Sequence, residues 1–468
     1  MKKVALPIII ILIILGLAGP KFSGNIFHNE LEQLVQKLND LPGYQAEISN
    51  KNQSWFSSNA EILVSFEMGD AFNQSPNMPD DLSFSIPIDV QHGPFLTQSG
   101  LAFGWAEWQI NLNPEDPIPN LTFLDDATSL YSIKGIVGLF GNTIFSDYIP
   151  ALTYTDESNG AVYSQTKWEG SGYFSSSSIV YDSVSPLSID VTADGESIAD
   201  INNIAIQMSV EEGVMQIWEQ LLYNSHSIFS IESINVTDAA SDNEVALNNI
   251  SIAVKSTYDE NTKLGDFLVS TKAKKVITDV FTLEDMQLDY SINKISQPFV
   301  IQYQSFMDDM LNNPENAEVL IQDFLQTSLL QQLQTNPEFN LPAISATING
   351  SKLEGFINTT LQAVKSLPNT FDDQAFWMQH MLVNAELNAE EEALKFIASA
   401  SMKSQLSGNP QFQSMTASEQ EQIIQQQVDA TIANFMQNGM LNLDEDGYSI
   451  LIKLENAELF VNGQQIPL

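Results

Sequence analysis

The chain has 468 residues, roughly three domains' worth of sequence at ~150 residues each. Acidic residues outnumber basic ones 59 to 18, so the formal charge is −41, yet only 16% of residues are charged against a typical ~25%. Every basic residue is Lys, there is no Cys, and only four residues are His. So negative a surface repels nucleic acid. Without Arg there is no arginine finger or bidentate guanidinium clamp for phosphate or carboxylate. Without Cys there is no thiol nucleophile, thiolate-held zinc, iron–sulfur cluster or disulfide. Hydrophobic residues at 43% make this an ordinary folding composition, not an acidic disordered tail.

Lys2 and Lys3 precede an uncharged apolar run from Val4 to Pro20 that contains six Ile and four Leu. On the insertion scale those ten residues contribute about −5 kcal/mol. Seventeen helical residues span ~25 Å, close to the hydrocarbon thickness, and the paired lysines favour the cytoplasmic side. The run reads as an uncleaved membrane anchor. A cleaved signal peptide also fits, because Gly16 and Ala18 are small residues at cleavage spacing. Either reading puts the body outside the cytoplasm.

His28 to Leu41 carries Leu31, Leu34, Val35 and Leu38 at helical spacing, and Pro42-Gly43 ends it. Strands follow. Leu82, Phe84, Ile86, Ile88 and Val90 alternate with polar residues up to Gly93-Pro94. Segments 106–112, 187–193, 204–210, 250–254 and 286–292 repeat that period of two, the mark of a sheet with one buried face. No regular alternation of strand and helix appears across residues 45–295.

From Gln297 to Leu311 and from Glu315 to Leu333 the period becomes helical, and Pro337 stops it. A short strand at 343–348, the Asn349-Gly350 turn and a helix over 353–367 come next. Met381 to Leu387 alternates. Glu390–Leu406 and Ser418–Gln437 read as helices, the latter with Ser418 as N-cap and Gly439 as C′. Tyr448 to Leu454 and Glu458 to Val461 close the chain as strands. The division is 1–22 as anchor or signal anchor, 23–296 as a strand-rich region, 297–440 as a helix-rich region of the same body, and 441–468 as a C-terminal strand hairpin. The fold class is α+β: an elongated, mainly antiparallel sheet with amphipathic helices on one face and a helix-rich C-terminal half, after a single membrane helix.

Several segments occur in a characteristic order. Trp55-Phe56-Ser57-Ser58-Asn59-Ala60 precedes the first strand, Gln91-His92-Gly93-Pro94 ends an alternating one, and Trp168-Glu169-Gly170-Ser171-Gly172 follows. Gly439-Met440-Leu441, Tyr448 and Phe460-Val461-Asn462-Gly463-Gln464-Gln465-Ile466-Pro467 complete the set. With them the chain resembles the YdgA-like family of bacterial envelope proteins, a family of unknown function. The resemblance implies inner-membrane anchoring and a periplasmic body, and brings no catalytic residues with it.

No catalytic, cofactor-binding or metal-binding set emerges from the residues. His92 reads as the end of a strand at a Gly-Pro corner, and His28, His226 and His380 as isolated packing or surface residues. Asn442-Leu443-Asp444-Glu445-Asp446-Gly447 resembles half of a calcium loop, but its twelfth position is Lys453, so a hairpin turn is the better reading. The pairs Asp80-Asp81, Asp125-Asp126, Asp308-Asp309 and Asp372-Asp373 read as solvated turns. Ser171 lacks the flanking glycine spacing of a nucleophile elbow. Ser175 to Ser178 reads as a loop or edge. Trp55, Phe56, Trp105, Trp108, Trp168, Phe376 and Trp377 read as packing anchors, with an apolar groove as the alternative.

The expectation is a non-enzymatic, membrane-anchored envelope protein without cofactor. Its periplasmic body would bind an envelope protein, a lipid or a second copy of the chain, and no nucleic acid. A carboxylate-dependent envelope hydrolase and a passive structural or surface domain are the alternatives. Diffuse carboxylates would also make stability salt-dependent without a defined cation site.

Overall fold

The computed structural model describes residues 20–467 except 22, 30, 40–43, 68–80, 114–117, 194, 239–242, 313, 369 and 446. The apolar run proposed as anchor therefore lies, Pro20 aside, outside the described residues. Among those described, no helix is long and apolar enough to cross a membrane.

Strand accounts for 52% of the described residues and helix for 25%, and 24 strands join in one antiparallel sheet. This corrects the α+β class with a helix-rich C-terminal half: the second half of the chain is also framed by strands. The clearest error is at 353–367, where Leu353, Ile357, Leu361 and Val364 give a helical period. Residues Ser351–Leu361 are instead a strand, paired on both sides with Glu338–Ile348 and Met381–Ala389. Asn349 and Gly350 both take positive φ, 49° and 88°, the two-residue turn whose twist sends the chain straight back as a hairpin.

Contacts divide the chain into two compact units: 1–197, 203–225 and 301–324 in the first, and 198–202, 226–300 and 325–468 in the second. In the first unit, Tyr44–Gln53, Ser57–Glu67, Asp81–His92, Ala106–Leu112, Tyr131–Val137, Thr143–Ile149, Trp168–Phe174 and Ile179–Ser185 pair antiparallel in that order. Alternation puts Ala60, Ile62, Val64, Ile88 and Val90 on one face. An amphipathic N-terminal helix, described at residues 20–21, 23–29 and 31–39, lies over them, seating Phe27, Leu31, Val35 and Leu38.

In the second unit, Asn243–Asp259, Leu264–Ile277, Thr282–Ser296, Glu338–Ile348, Ser351–Leu361, Met381–Ala389, Gly447–Glu455 and Glu458–Val461 form the same kind of meander. Helix Glu391–Leu406 sets Ala393, Leu394, Phe396 and Ile397 against Ala346, Leu353, Leu387 and Ala389. Helix Ala417–Gln437 adds Ile424, Val428 and Ile432 to a cluster with Phe412, Leu441, Tyr448 and Ile450. Its N-cap is Thr416, whose side chain exchanges hydrogen bonds with Glu419 in a capping box, in place of the expected Ser418.

Candidate functional site

Register turns the alternating pattern of the second unit into a surface. Residues directly opposite on paired strands share a face, so the pairings draw rows across the sheet. One row runs Ile252, Thr271, Leu288, Ile344, Gly355, Leu387, Ile450. Beside it lie Val254, Val269 and Tyr290, continued across a bulge by Leu341, Ile357, Ala385 and Ile452. A third row holds Phe267, Ile292, Phe339, Thr359, Val383 and Leu454. The opposite face carries Ser251, Lys272, Gln287, Ser345, Glu354, Asn388 and Ser449 in one row.

The apolar face is only partly covered. The two C-terminal helices bury the rows near Leu353, Ala389 and Tyr448. Ile252, Val254, Leu288, Tyr290, Phe339 and Ile357 keep between 36% and 42% of their surface exposed. Their rows hold no charged side chain, only hydroxyls such as Thr271 and Thr359. Contiguous apolar surface of this kind on a folded protein marks a place of interaction.

Two polar clusters are buried in the first unit. His28 from the helix, Ser58 and His92 are 6%, 4% and 1% exposed. The Ser58 hydroxyl lies 3.2 Å from His28 Nε2 and 2.8 Å from His92 Nε2. Burial, then the Lys51 charge, holds His28 below the usual imidazole value; burial, then the His28 charge, does so for His92. Ser58 points to the helix-covered side of the sheet, so this is no exposed nucleophile. A shallow cleft that Ser58 shares with Phe56, Asn59, Asp89, Gln91 and Gln98 takes its Asn59, Asp89 and Gln91 lining from the opposite face of the strands.

Asp147 forms the second cluster. Its carboxylate accepts hydrogen bonds from Trp168 Nε1 at 3.2 Å and from the Tyr181 hydroxyl at 3.0 Å, with Tyr131 at 3.5 Å. Burial followed by the Asp147 charge pushes the Tyr131 phenol up to about 12, and burial likewise raises Tyr181.

The remaining residues singled out by sequence are dispersed. Ser171 is mid-strand, opposite Asp182 and Ser146. Ser175–Ser178 is a tight turn. Asp125 accepts from Tyr148 and from the Ala127 backbone, and Asp373 caps the helix Gln374–His380. Asp80 and Asp446 lie outside the described residues, as do the side chains of Asp81 and Asp308. Asp444 pairs with Gly447 in a hairpin. Among the described residues, no group of three or more His, Asp or Glu is placed to hold a metal ion. Trp55 and Phe56 sit on an exposed turn, Trp108 packs under the N-terminal helix, and Trp377 donates to the Phe371 carbonyl. These aromatics line no common groove.

Sequence reasoning missed both buried clusters. Ser58 and His92 lie 30 and 34 residues from their partners, so no local spacing announces them. A lone acid at Asp147, on the strand face it shares with Thr143, Phe145 and Ile149, was the one available sign of the other.

The class defined by this fold is a strand-dominated protein with a one-sided antiparallel sheet whose apolar face is left partly open. Residues 1–468 match the family described as bacterial protein of unknown function (DUF945), and the chain belongs to that family. Comparisons with curated proteins and with solved structures give no match.

Proposed function

We propose that this chain is a non-enzymatic protein of the bacterial envelope whose second unit takes a long acyl chain on its open sheet face. The observation that carries this reading is the uncharged patch formed by Ile252, Val254, Leu288, Tyr290, Phe339 and Ile357. An acyl chain fits it because the rows offer dispersion and hydrophobic burial with almost nothing to hydrogen-bond. The paired lysines and apolar run at the N-terminus support a body held at the outer side of an inner membrane, where such lipids are at hand. The segments around Trp55, His92, Trp168 and Asn462 support placing the chain in the YdgA-like branch of its family.

The test is native mass spectrometry of the full chain after gentle detergent extraction, with lipid analysis of the same sample. Wild type should carry acyl lipid, and a Leu288→Glu, Tyr290→Glu double variant with unchanged circular dichroism should lose at least about tenfold of it, since each change puts a charge where the chain would lie. A lipid-free wild type that cross-links through this face to a second copy or to another envelope protein would overturn the reading.

A further inference from the structure

We propose that His28, Ser58 and His92 form an acid-release latch: neutral, they hold the N-terminal helix on the first unit's sheet, and protonated, they free it. The three groups come from three elements. His28 belongs to the helix, Ser58 to Ser57–Glu67 and His92 to the end of Asp81–His92. The helix backbone comes close to them, because a Cβ on Gly24 would stand 3.0 Å from His92 Nε2 and 2.6 Å from Gln53 Nε2.

Hydrogen-bond accounting and burial together favour neutral rings. Ser58 has one hydrogen, so its hydroxyl donates to one Nε2 and accepts an N–H from the other ring. With both rings neutral, one then carries an N–H and the other a lone pair at Nδ1. Both Nδ1 atoms are buried without a hydrogen-bond partner among the described residues. A proton added to the donating ring creates a buried imidazolium whose Nδ1–H has no hydrogen-bond partner among the described residues, and one added to the accepting ring takes away the acceptor of the Ser58 hydroxyl, at the centre of a helix–sheet interface. The Ser57 backbone favours a charged His92 ring, but less than burial disfavours it. A second proton would put two like charges on one hydroxyl.

Of the surrounding charges, Glu32 favours a charged His28, but by less than burial and Lys51 oppose it. From the helix come Lys21 and Glu32, and from Tyr44–Gln53 comes Lys51; Glu32 is already paired with Lys51 at 2.6 Å. Lys21 also bears on His92 and opposes its protonation. Glu61, Asp89 and Glu107 occupy the alternate positions of their strands and face the other side. Because both rings sit below their usual value when the helix is docked, the undocked state binds more protons. Docking is therefore complete above pH ~6.5 and weakens as the pH falls toward the depressed values. With two protons taken up, the docking equilibrium changes by up to ~100-fold per pH unit within that window.

Hydrogen exchange on the full chain in detergent tests the latch. Between pH 7.5 and 5.0, corrected for intrinsic exchange rates, amides of residues 31–39 should lose at least about tenfold of their protection, while strands Tyr131–Val137 and Thr143–Ile149 keep theirs. His28→Gln keeps a hydrogen-bond partner for Ser58 and removes one titration, so it should roughly halve the logarithm of that change. Deuterium exchange at the imidazole C2 position of the wild type reads both histidine pKa values directly, without a variant that must fold. Values at or above ~6.5, or unchanged protection of residues 31–39, would overturn the proposal.

Discussion

Tyr181 donates its hydroxyl to both oxygens of Asp147 at 3.0 Å, across strands 34 residues apart in sequence. With Trp168 Nε1 on the same carboxylate, a single buried acid organises three aromatic side chains of the first unit. Trp168 Nε1 would keep the Tyr181 oxygen at 3.2 Å if the acceptor were removed, but the two phenol hydroxyls would lose theirs, at ~1–3 kcal/mol apiece. Asp147→Ala should therefore destabilise the first unit by about 3 kcal/mol or more, read as a shift of the urea midpoint. A shift below ~0.5 kcal/mol would show that water replaces the carboxylate.

Gly170 explains part of the Trp168–Gly172 segment. A Cβ there would lie 2.1 Å from Asp147 Oδ1 and 2.2 Å from the Tyr181 hydroxyl, the two partners just described. The residue is small because the hydrogen bond occupies its side-chain space. Gly170→Ala should cost ~1–3 kcal/mol through overpacking. A paired Gly170→Ala, Tyr181→Phe variant should recover part of that loss in a double-mutant cycle, since the phenol oxygen is one of the two atoms in the way.

Three phenols ionise late, Tyr181 among them. Tyr131, buried beside Asp147, and Tyr148, hydrogen-bonded to Asp125, are both pushed up to about 12. A raised phenol favours the protonated, folded form. Its contribution is complete below the unfolded value near ~10 and is lost as the pH rises toward the folded one. Ultraviolet titration should show three tyrosines missing from the main phenolate step near pH ~10. Tyr131→Phe and Tyr148→Phe should each remove amplitude only from the late step.

The legible parts of the sequence are those where one face decides the pattern. Ile86, Ile88 and Val90 alternate with polar residues because only one side of their strand is covered, and they are in the core as expected. Leu353, Ile357 and Leu361 misled because a spacing of four satisfies a helix and a strand equally. The hairpin turn at Asn349-Gly350, together with partners on both edges, settled the matter. His28 read as isolated and His92 as a strand end because a period describes neighbours along the chain, whereas their shared hydroxyl comes from a strand elsewhere.

By itself the sequence determined what this protein lacks and how its strands are faced. No Arg, no Cys and a charge of −41 are properties of composition, and alternation fixes which side of a strand avoids water. The tertiary structure alone decided how much of the apolar side stays open, and which polar groups meet in the interior. Both depend on strand register and helix placement, which bring together Leu288 with Ile344, or Ser58 with His28 and His92, through pairings that no local window contains.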